Sequence, residues 1–335
     1  MKVEIPKNIK SILVTGGCGF IGSHLVDELS KNNKVIVLDN LYTGNKKNIN
    51  LKNKNIDFHK IDLSKYNKKL EKLFKNVDTV FHLAGIADIV PSITNPELYF
   101  NVNVNGTLNI LRCSKINRVN KIVYAASASC YGVPKKFPTN ENEEIKLNYP
   151  YALSKKLGED LILHWGKVYN LNVSSLRLFN VYGLRSRTSG AYGAAFGVFL
   201  AQKLNNFPLT IVGNGKQTRD FIFVKDVVSA FISSSKLKKS GYIFNVGSGV
   251  ETNINYIASK ISSKKIYIPK RPGEPDRSLA DISKIKRILK WKPVISIDQG
   301  INVLLKNIFY WKGSPVWTPV KIKKATKVWF QYLKK

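Results

Sequence analysis

Residues 11–40, SILVTGGCGFIGSHLVDELSKNNKVIVLDN, constrain the fold more than any other part of the chain. Apolar Ile12, Leu13 and Val14 predict a short strand, and Gly16, Gly17, Gly19 and Gly22 predict a turn. An amphipathic helix is expected over 20–31, and a second strand over 34–38 ends on Asp39 and Asn40. Strand, glycine turn, helix and acid-tipped strand within ~30 residues form the pattern that binds a dinucleotide. The glycines permit a tight turn and let the backbone approach a pyrophosphate, whose charge sits against the unpaired N–H groups at the helix start. Gly16, Gly19, Phe20, Ile21 and Gly22 are therefore expected around the phosphates, and Asp39 at the adenosine ribose.

A chain of 335 residues can bury one large or two modest cores. Its first ten residues are polar and charged, and no apolar run reaches membrane-spanning length, so a soluble cytoplasmic protein is expected. Cys18, Cys113 and Cys130 are scattered without metal-ligand spacing, which fits free thiols and no structural metal. The net charge of +32 could serve nucleic acid, a membrane or an anionic substrate. Lysine is nevertheless spread along the chain among many Asn and Ile, as A/T-biased coding produces, so no specific nucleic-acid partner is expected.

Further along, a strand over 57–63 ends near Asp62 and Leu63, which could contact an adenine or merely close the strand. Another over 77–83 runs through Leu83 into Ala84 and Gly85, small residues that leave room for something flat and large. A helix over 96–116 carries Asn103, and a strand over 121–126 ends in Ser127, Ala128, Ser129, Cys130 and Tyr131. This alternation implies an α/β fold, a doubly wound parallel sheet with ligands beyond the strands' carboxyl ends.

A second chemical cluster is Tyr149-Pro150-Tyr151-Ala152-Leu153-Ser154-Lys155. Pro150 suits the first turn of a helix, and Tyr151 and Lys155, four apart, then share one face. An ammonium beside a phenol favours the phenolate, so the usual pKa of roughly 10 is expected to fall toward neutrality. A fall to near 7 needs about 4 kcal/mol, within reach of a lysine plus a cationic nicotinamide ring. Tyr151 is thus a candidate general base, although the same spacing also marks ordinary helix surfaces.

With these residues in view, the chain resembles the extended short-chain dehydrogenase/reductases, in particular the NAD-dependent nucleotide-sugar epimerases and dehydratases. The resemblance rests on TGGCGFIG at 15–22, Asp39-Asn40, HLAG at 82–85, NVNGT at 103–107, SASCYG at 127–132 and YALSK at 151–155. It continues with RLFNVYG at 177–183, TRDFIFVKD at 218–226, NVGSG at 245–249 and RPGEPDRSLAD at 271–281. The family implies a Rossmann-type sheet over 1–180 that binds NAD, with a return segment near 217–235. It also implies a smaller α/β substrate lobe over 181–310, leaving 311–335 as a basic, aromatic tail without a recognisable motif. That tail could dock on the body, join an oligomer interface or touch lipid. The resemblance further implies a homodimer through the helices near 96–116 and 151–169.

Roles carry over position by position. Ser127, with Ser129 beside it, takes the place of the hydroxyl that bonds the sugar's reacting oxygen; Tyr151 is the acid/base, and Lys155 holds the nicotinamide ribose. Asp62, Leu63, Leu83, Ala84, Gly85 and Asn103 complete the cofactor set. Asn180 contacts the sugar diphosphate, and Arg219 and Arg271 clamp its phosphates, as forked guanidinium groups do well; Glu274, the acid of the same element as Arg271, joins the substrate set. A salt bridge from Arg219 to Asp226 or Asp220 is the structural alternative. Arg185 or Arg187 could reach a sugar carboxylate or face solvent.

Dehydratases of the family place an Asp-Glu pair after the first catalytic hydroxyl, and decarboxylases a glutamate nearby; here Ala128, Ser129 and Cys130 follow Ser127. Oxidation and re-reduction at C4 of a UDP-hexose remains, with glucose/galactose or their N-acetylamino forms as candidates. A uronate 4-epimerase, a decarboxylase, a 4,6-dehydratase and a non-enzymatic NAD sensor are the alternatives. The position four residues after Glu274 is Ser278, which in this family sets the room beside the C2 substituent, unless Phe196 or Tyr192 fills that gap.

Overall fold

The computed structural model describes residues 11–186, 188 and 195–333. Arg187 and Tyr192 lie outside the described residues.

Seven strands form one parallel sheet: β1 (Ile12–Thr15), β2 (Val35–Asp39), β3 (Ile56–Lys60), β4 (Thr79–His82), β5 (Lys121–Ser127), β6 (Asn172–Leu178) and β10 (Tyr242–Val246). Their spatial order is β10-β6-β5-β4-β1-β2-β3, all neighbours parallel. Strands buried on both faces need continuous apolar runs, and β1 and β4 are wholly buried. One face packs Leu25, Val26, Phe231 and Ile232 against the sheet, and the other packs Leu70, Ile110, Leu111 and Ile162. Each such side chain, fully buried, contributes roughly 1.5–3 kcal/mol. The chain order reverses between β1 and β4, which opens a crevice beyond the carboxyl ends of these strands.

Two smaller sheets form the second lobe. One joins β7 (Asn180–Tyr182), β9 (Thr218–Phe223) and β11 (Glu251–Asn253); the other pairs β8 (Leu209–Val212) with β12 (Lys265–Ile268). A third core, with Tyr182, Phe196, Phe223, Ile257 and Trp311, lies beneath them. Tyr182 and Phe196 stack at a centroid distance of 4.5 Å, and Phe196 is fully buried. Phe196 therefore belongs to the lobe's core and does not fill the space beside a sugar.

The expected helix over 96–116 is interrupted. Pro96–Phe100 and Gly106–Ile116 are α-helical, but Asn101–Asn105 between them forms a π-turn. The partners are distant in sequence: the Asn103 amide donates to the Ile86 carbonyl (3.0 Å) and to Ser154 Oγ (2.9 Å), and its oxygen accepts from the Ile86 N–H (2.9 Å). A π-turn brings Asn103 inward as a regular turn would not. Among the described residues, no helix is long and apolar enough to cross a membrane. The three cysteines are buried free thiols.

Candidate active site

The crevice at the switch point encloses about 700 Å³. Its floor is the glycine turn between β1 and the helix Phe20–Leu29. Gly16 has φ +67°, and a Cβ there would sit 2.7 Å from the Ala84 nitrogen; a Cβ on Gly22 would fall 2.1 Å from the Gly16 carbonyl oxygen. Only glycine packs the two loops this closely. Gly19 stands at the helix N-terminus and caps it with no side chain, so the positive end of the helix faces the crevice over Gly19, Phe20, Ile21 and Gly22. This cradle fits the pyrophosphate of a dinucleotide.

Asp39, at the tip of β2, is buried and accepts from the Cys18 N–H (2.9 Å) and the Leu41 N–H (2.8 Å). Burial pushes its pKa up, and these two backbone donors oppose the rise. The carboxylate thus ties the glycine turn to the loop after β2 while still lining the crevice beside Asn40. Asp62, Leu63, Leu83, Ala84 and Gly85 line the same side. The strand before Asp62 ends earlier than expected, at Lys60, because the Asp62 carboxylate turns the chain by accepting from the Ser64 N–H (3.0 Å) and hydroxyl (2.8 Å).

Asn103 braces the crevice from behind, against Gly85. It is not on the crevice wall, because its amide is consumed in fixing the 84–86 loop to the helix Pro150–Val168. Lys155 also stands behind the wall, its ammonium 4.3 Å from the Tyr124 ring centroid. A Cβ on Gly85 would lie 3.6 Å from Lys155 Nζ, so the missing side chain there gives the ammonium its access to the crevice.

Pro150 does open the helix Pro150–Val168, and Tyr151 and Lys155 share a face of it. Tyr151 lines the crevice opposite Ser127 and Ser129. Burial pushes the Tyr151 phenol up from its ordinary pKa, and the Ser127 and Ser129 hydroxyls counter this only in part. Burial likewise lowers Lys155 to about 7 against the pull of Glu159. Desolvation therefore dominates the Tyr151 phenol in the chain by itself.

Asp88, which the sequence reading missed, lines the crevice and raises Tyr151 further by its negative charge. It has φ +90°, a conformation that non-glycine residues seldom adopt. The Tyr99 hydroxyl donates to the Ala87 and Asp88 carbonyls (2.6 and 2.9 Å), and the Tyr99 ring meets Tyr151 edge-on at 6.4 Å. No local signal in IADIVPS marks this strained turn; it exists because Tyr99, a helix away, holds it.

The second lobe supplies the far wall through Asn180, Arg219, Arg271, Glu274 and Ser278. Arg219 is paired with Glu274 at 2.9 Å, and not with Asp220 or Asp226. Asp220 is occupied by the N–H groups of Ser248, Gly249 and Ala280, and Asp226 by those of Val294 and Ile295. Glu274 also lies 3.8 Å from Arg271, so one carboxylate holds both guanidinium groups toward the crevice. Each guanidinium carries five donors, more than one carboxylate can occupy. The Asn180 amide donates to the Asp220 carbonyl (3.1 Å). Arg185 does not reach the crevice wall: it is bound to Asp27 of the first helix at 2.7 Å.

The sequence profile of the NAD dependent epimerase/dehydratase family matches residues 12–247. A putative UDP-glucose 4-epimerase of Methanocaldococcus jannaschii is 41% identical over 302 residues, covering 87% of this chain and 96% of that protein. The UDP-N-acetylglucosamine 4-epimerase of Methanobrevibacter ruminantium M1, solved with UDP-N-acetylmuramic acid, superposes with a TM-score of 0.84 at 33% identity, covering 89% of this chain and 99% of that one. The UDP-glucuronic acid 4-epimerase of Bacillus cereus, solved with UDP-glucuronic acid and NAD, gives 0.81 at 32% identity over 90% and 99%.

Proposed function

We propose that this chain, which belongs to the NAD dependent epimerase/dehydratase family, is a UDP-hexose 4-epimerase acting on neutral sugars. It is an NAD-dependent enzyme, and its relatives and structural neighbours include UDP-sugar 4-epimerases alongside UDP-glucuronic acid decarboxylases and a dTDP-glucose 4,6-dehydratase. The observation that carries the finer reading is the turn after β5. A 4,6-elimination or a decarboxylation calls for an acid there. Ala128 and Ser129 have none to offer, and the Cys130 thiol is buried with its pKa pushed up to about 12. An anionic sugar would also meet Asp88 beside Tyr151, while Arg185 is turned away to Asp27.

In this reading the glycine cradle, Asp39, Asn40, Asp62 and Leu63 hold the adenosine diphosphate half of the cofactor. Leu83, Ala84 and Gly85 face its other half, with Lys155 behind them at the ribose. Bound NAD supplies a reversible acceptor for the C4 hydride. Ser127 positions the C4 oxygen, and Tyr151 removes its proton. Arg219 and Arg271 hold the diphosphate while the oxidised sugar turns, so binding energy at the nucleotide keeps the sugar in place. With the other face of C4 then turned toward the cofactor side, which would give the hydride back to C4, Tyr151 returns the proton to the C4 oxygen. Asn180 and Ser129 contact the substrate, and the boundaries near 180 and 310 separate the cofactor side from the sugar side.

Ser278 decides how much room the C2 substituent has. It lines the crevice with a small side chain that could bond an acetamide. The parent enzyme is expected to interconvert plain and N-acetylated UDP-hexoses with comparable efficiency. Ser278→Tyr should depress the acetylated reaction at least tenfold more than the plain one, since steric exclusion can exceed the usual cost of overpacking. Chromatography of products from a UDP-sugar panel tests the activity, and parallel kinetics on the two pairs test the gate. No C4 inversion of any UDP-hexose by the parent would reject the activity; equal losses in the variant would reject the gate.

A homodimer is part of the same proposal. Leu108 and Ile116 on one helix, and Leu157 and Val168 on its neighbour, remain exposed, an apolar face that a second copy of the same two helices would cover. Light scattering should give twice the mass of one chain, and Leu157→Asp should halve it. A monomer in the parent protein would reject this interface.

A further inference from the structure

The end of the chain is built into the crevice. Trp311 is fully buried in the second lobe's core. The Trp317 indole then donates to the Thr188 carbonyl (2.9 Å), while the Trp317 carbonyl accepts from the Gln202 amide (2.7 Å). Two short helices follow, Pro319–Ala325 and Lys327–Tyr332, and each sends one buried side chain, Ile322 and Trp329, to the crevice wall. The Trp329 indole donates to the Pro272 carbonyl at 2.6 Å, one residue from Arg271. The helix that carries it packs on Ile89–Thr94, the helix that begins just after Asp88.

We propose that Trp329 is a specificity-determining residue that closes the sugar end of the substrate site. Three observations place it there. It lines the crevice between the Asp88 turn, whose charge reaches Tyr151, and the Arg271–Glu274 arm, so it borders the reacting end of the substrate and not the nucleotide. Its indole N–H is committed to the Pro272 carbonyl, which fixes the orientation of the ring. It is only 3% exposed although it sits in a two-turn helix near the chain end, so it anchors that helix and is not carried by it. An aromatic ring of this size buries roughly 150–250 Å²; held by its polar edge and almost wholly covered, it shapes this corner of the wall and offers only a small part of its edge to the crevice. The match to the family profile spans residues 12–247, so Trp329 lies outside it.

The proposal rests on the nucleotide-sugar reading above, and its test separates the two. Calorimetric titration of the NAD-loaded full-length chain with UDP and with UDP-glucose is compared for the parent, Trp329→Ala, Trp329→Phe, and the controls Val320→Ala and Tyr332→Ala. Both controls lie on the same two helices with exposed side chains. Trp329→Ala is expected to weaken UDP-glucose at least tenfold while leaving UDP within twofold. Trp329→Phe, which keeps a ring but loses the bond to Pro272, should fall between parent and alanine, and the controls should match the parent. If Trp329→Ala does not fold, at least a threefold selective loss in Trp329→Phe carries the same meaning. Equal weakening of UDP and UDP-glucose, or no weakening of either, would overturn the assignment. A parent that binds UDP but not UDP-glucose would overturn the nucleotide-sugar reading itself and this wall with it.

Discussion

Tyr151→Phe is expected to retain the dinucleotide and the fold yet lose at least 100-fold in turnover, the usual scale for removing a positioned acid/base. The substitution keeps the ring, and with it the edge-on contact to Tyr99 and the parallel stacking on Tyr149 at 6.4 Å. Only the ionisable oxygen facing Ser127 and Ser129 is removed. Because burial and Asp88 both raise the Tyr151 phenol, the parent's rate should climb with pH across the neutral range as the phenolate becomes accessible. Tyr151→Phe should flatten that climb. Asp88→Asn removes one of the raising charges and should move the rising limb toward lower pH. Steady-state rates between pH 6 and 10, with cofactor content checked by absorbance, decide the matter. Turnover of Tyr151→Phe within threefold of the parent would remove the tyrosine from its role.

The other large effect should come from a group well away from the crevice wall. Glu159 is 1% exposed and accepts from Arg177 Nη2 at 2.6 Å, from Arg177 Nε at 3.1 and 3.2 Å, and from the Ser175 hydroxyl at 2.8 Å. Arg177, 3% exposed, passes the network on to the Tyr131 hydroxyl (2.9 Å), which donates to Asn245 on β10 (2.7 Å). One network thus binds the catalytic helix to β6, the 128–131 turn and the last strand of the sheet. Glu159→Ala would strand a guanidinium inside the protein, and breaking a buried pair from one side costs about 3–5 kcal/mol. It would also remove the charge that opposes the loss of Lys155's proton, one helical turn away. Denaturant unfolding should show the full loss, with activity reduced in the fraction that remains folded. Asp160→Ala, which breaks only the exposed pair with Lys156 on the same helix, should leave stability near the parent's. A loss below about 1 kcal/mol in Glu159→Ala would show that the network tolerates an unpaired Arg177.

Much of this molecule is local enough to be read from its chain. The glycine turn, the acid at the tip of β2 and the proline-started helix with Tyr151 and Lys155 follow from backbone sterics, helix-end hydrogen bonding and the period of the helix. These act within a few residues, so sequence alone determined the parallel sheet, the crevice floor and the Tyr151–Lys155 face. Tertiary structure decided everything that depends on distant partners. Arg219 has carboxylates close by in sequence, but Glu274 reaches it because Asp220 and Asp226 are already saturated by backbone N–H groups. Asn103, in a cofactor motif, ends up bracing a loop because a π-turn carries its amide to Ile86 and Ser154. Arg185 is drawn off by Asp27. The rise that burial gives the Tyr151 phenol depends on how completely other elements cover it. Trp329, in a segment with no motif, becomes part of the site because an aromatic side chain held between two loops is worth more than the local preference of a lysine-rich chain end to remain in water.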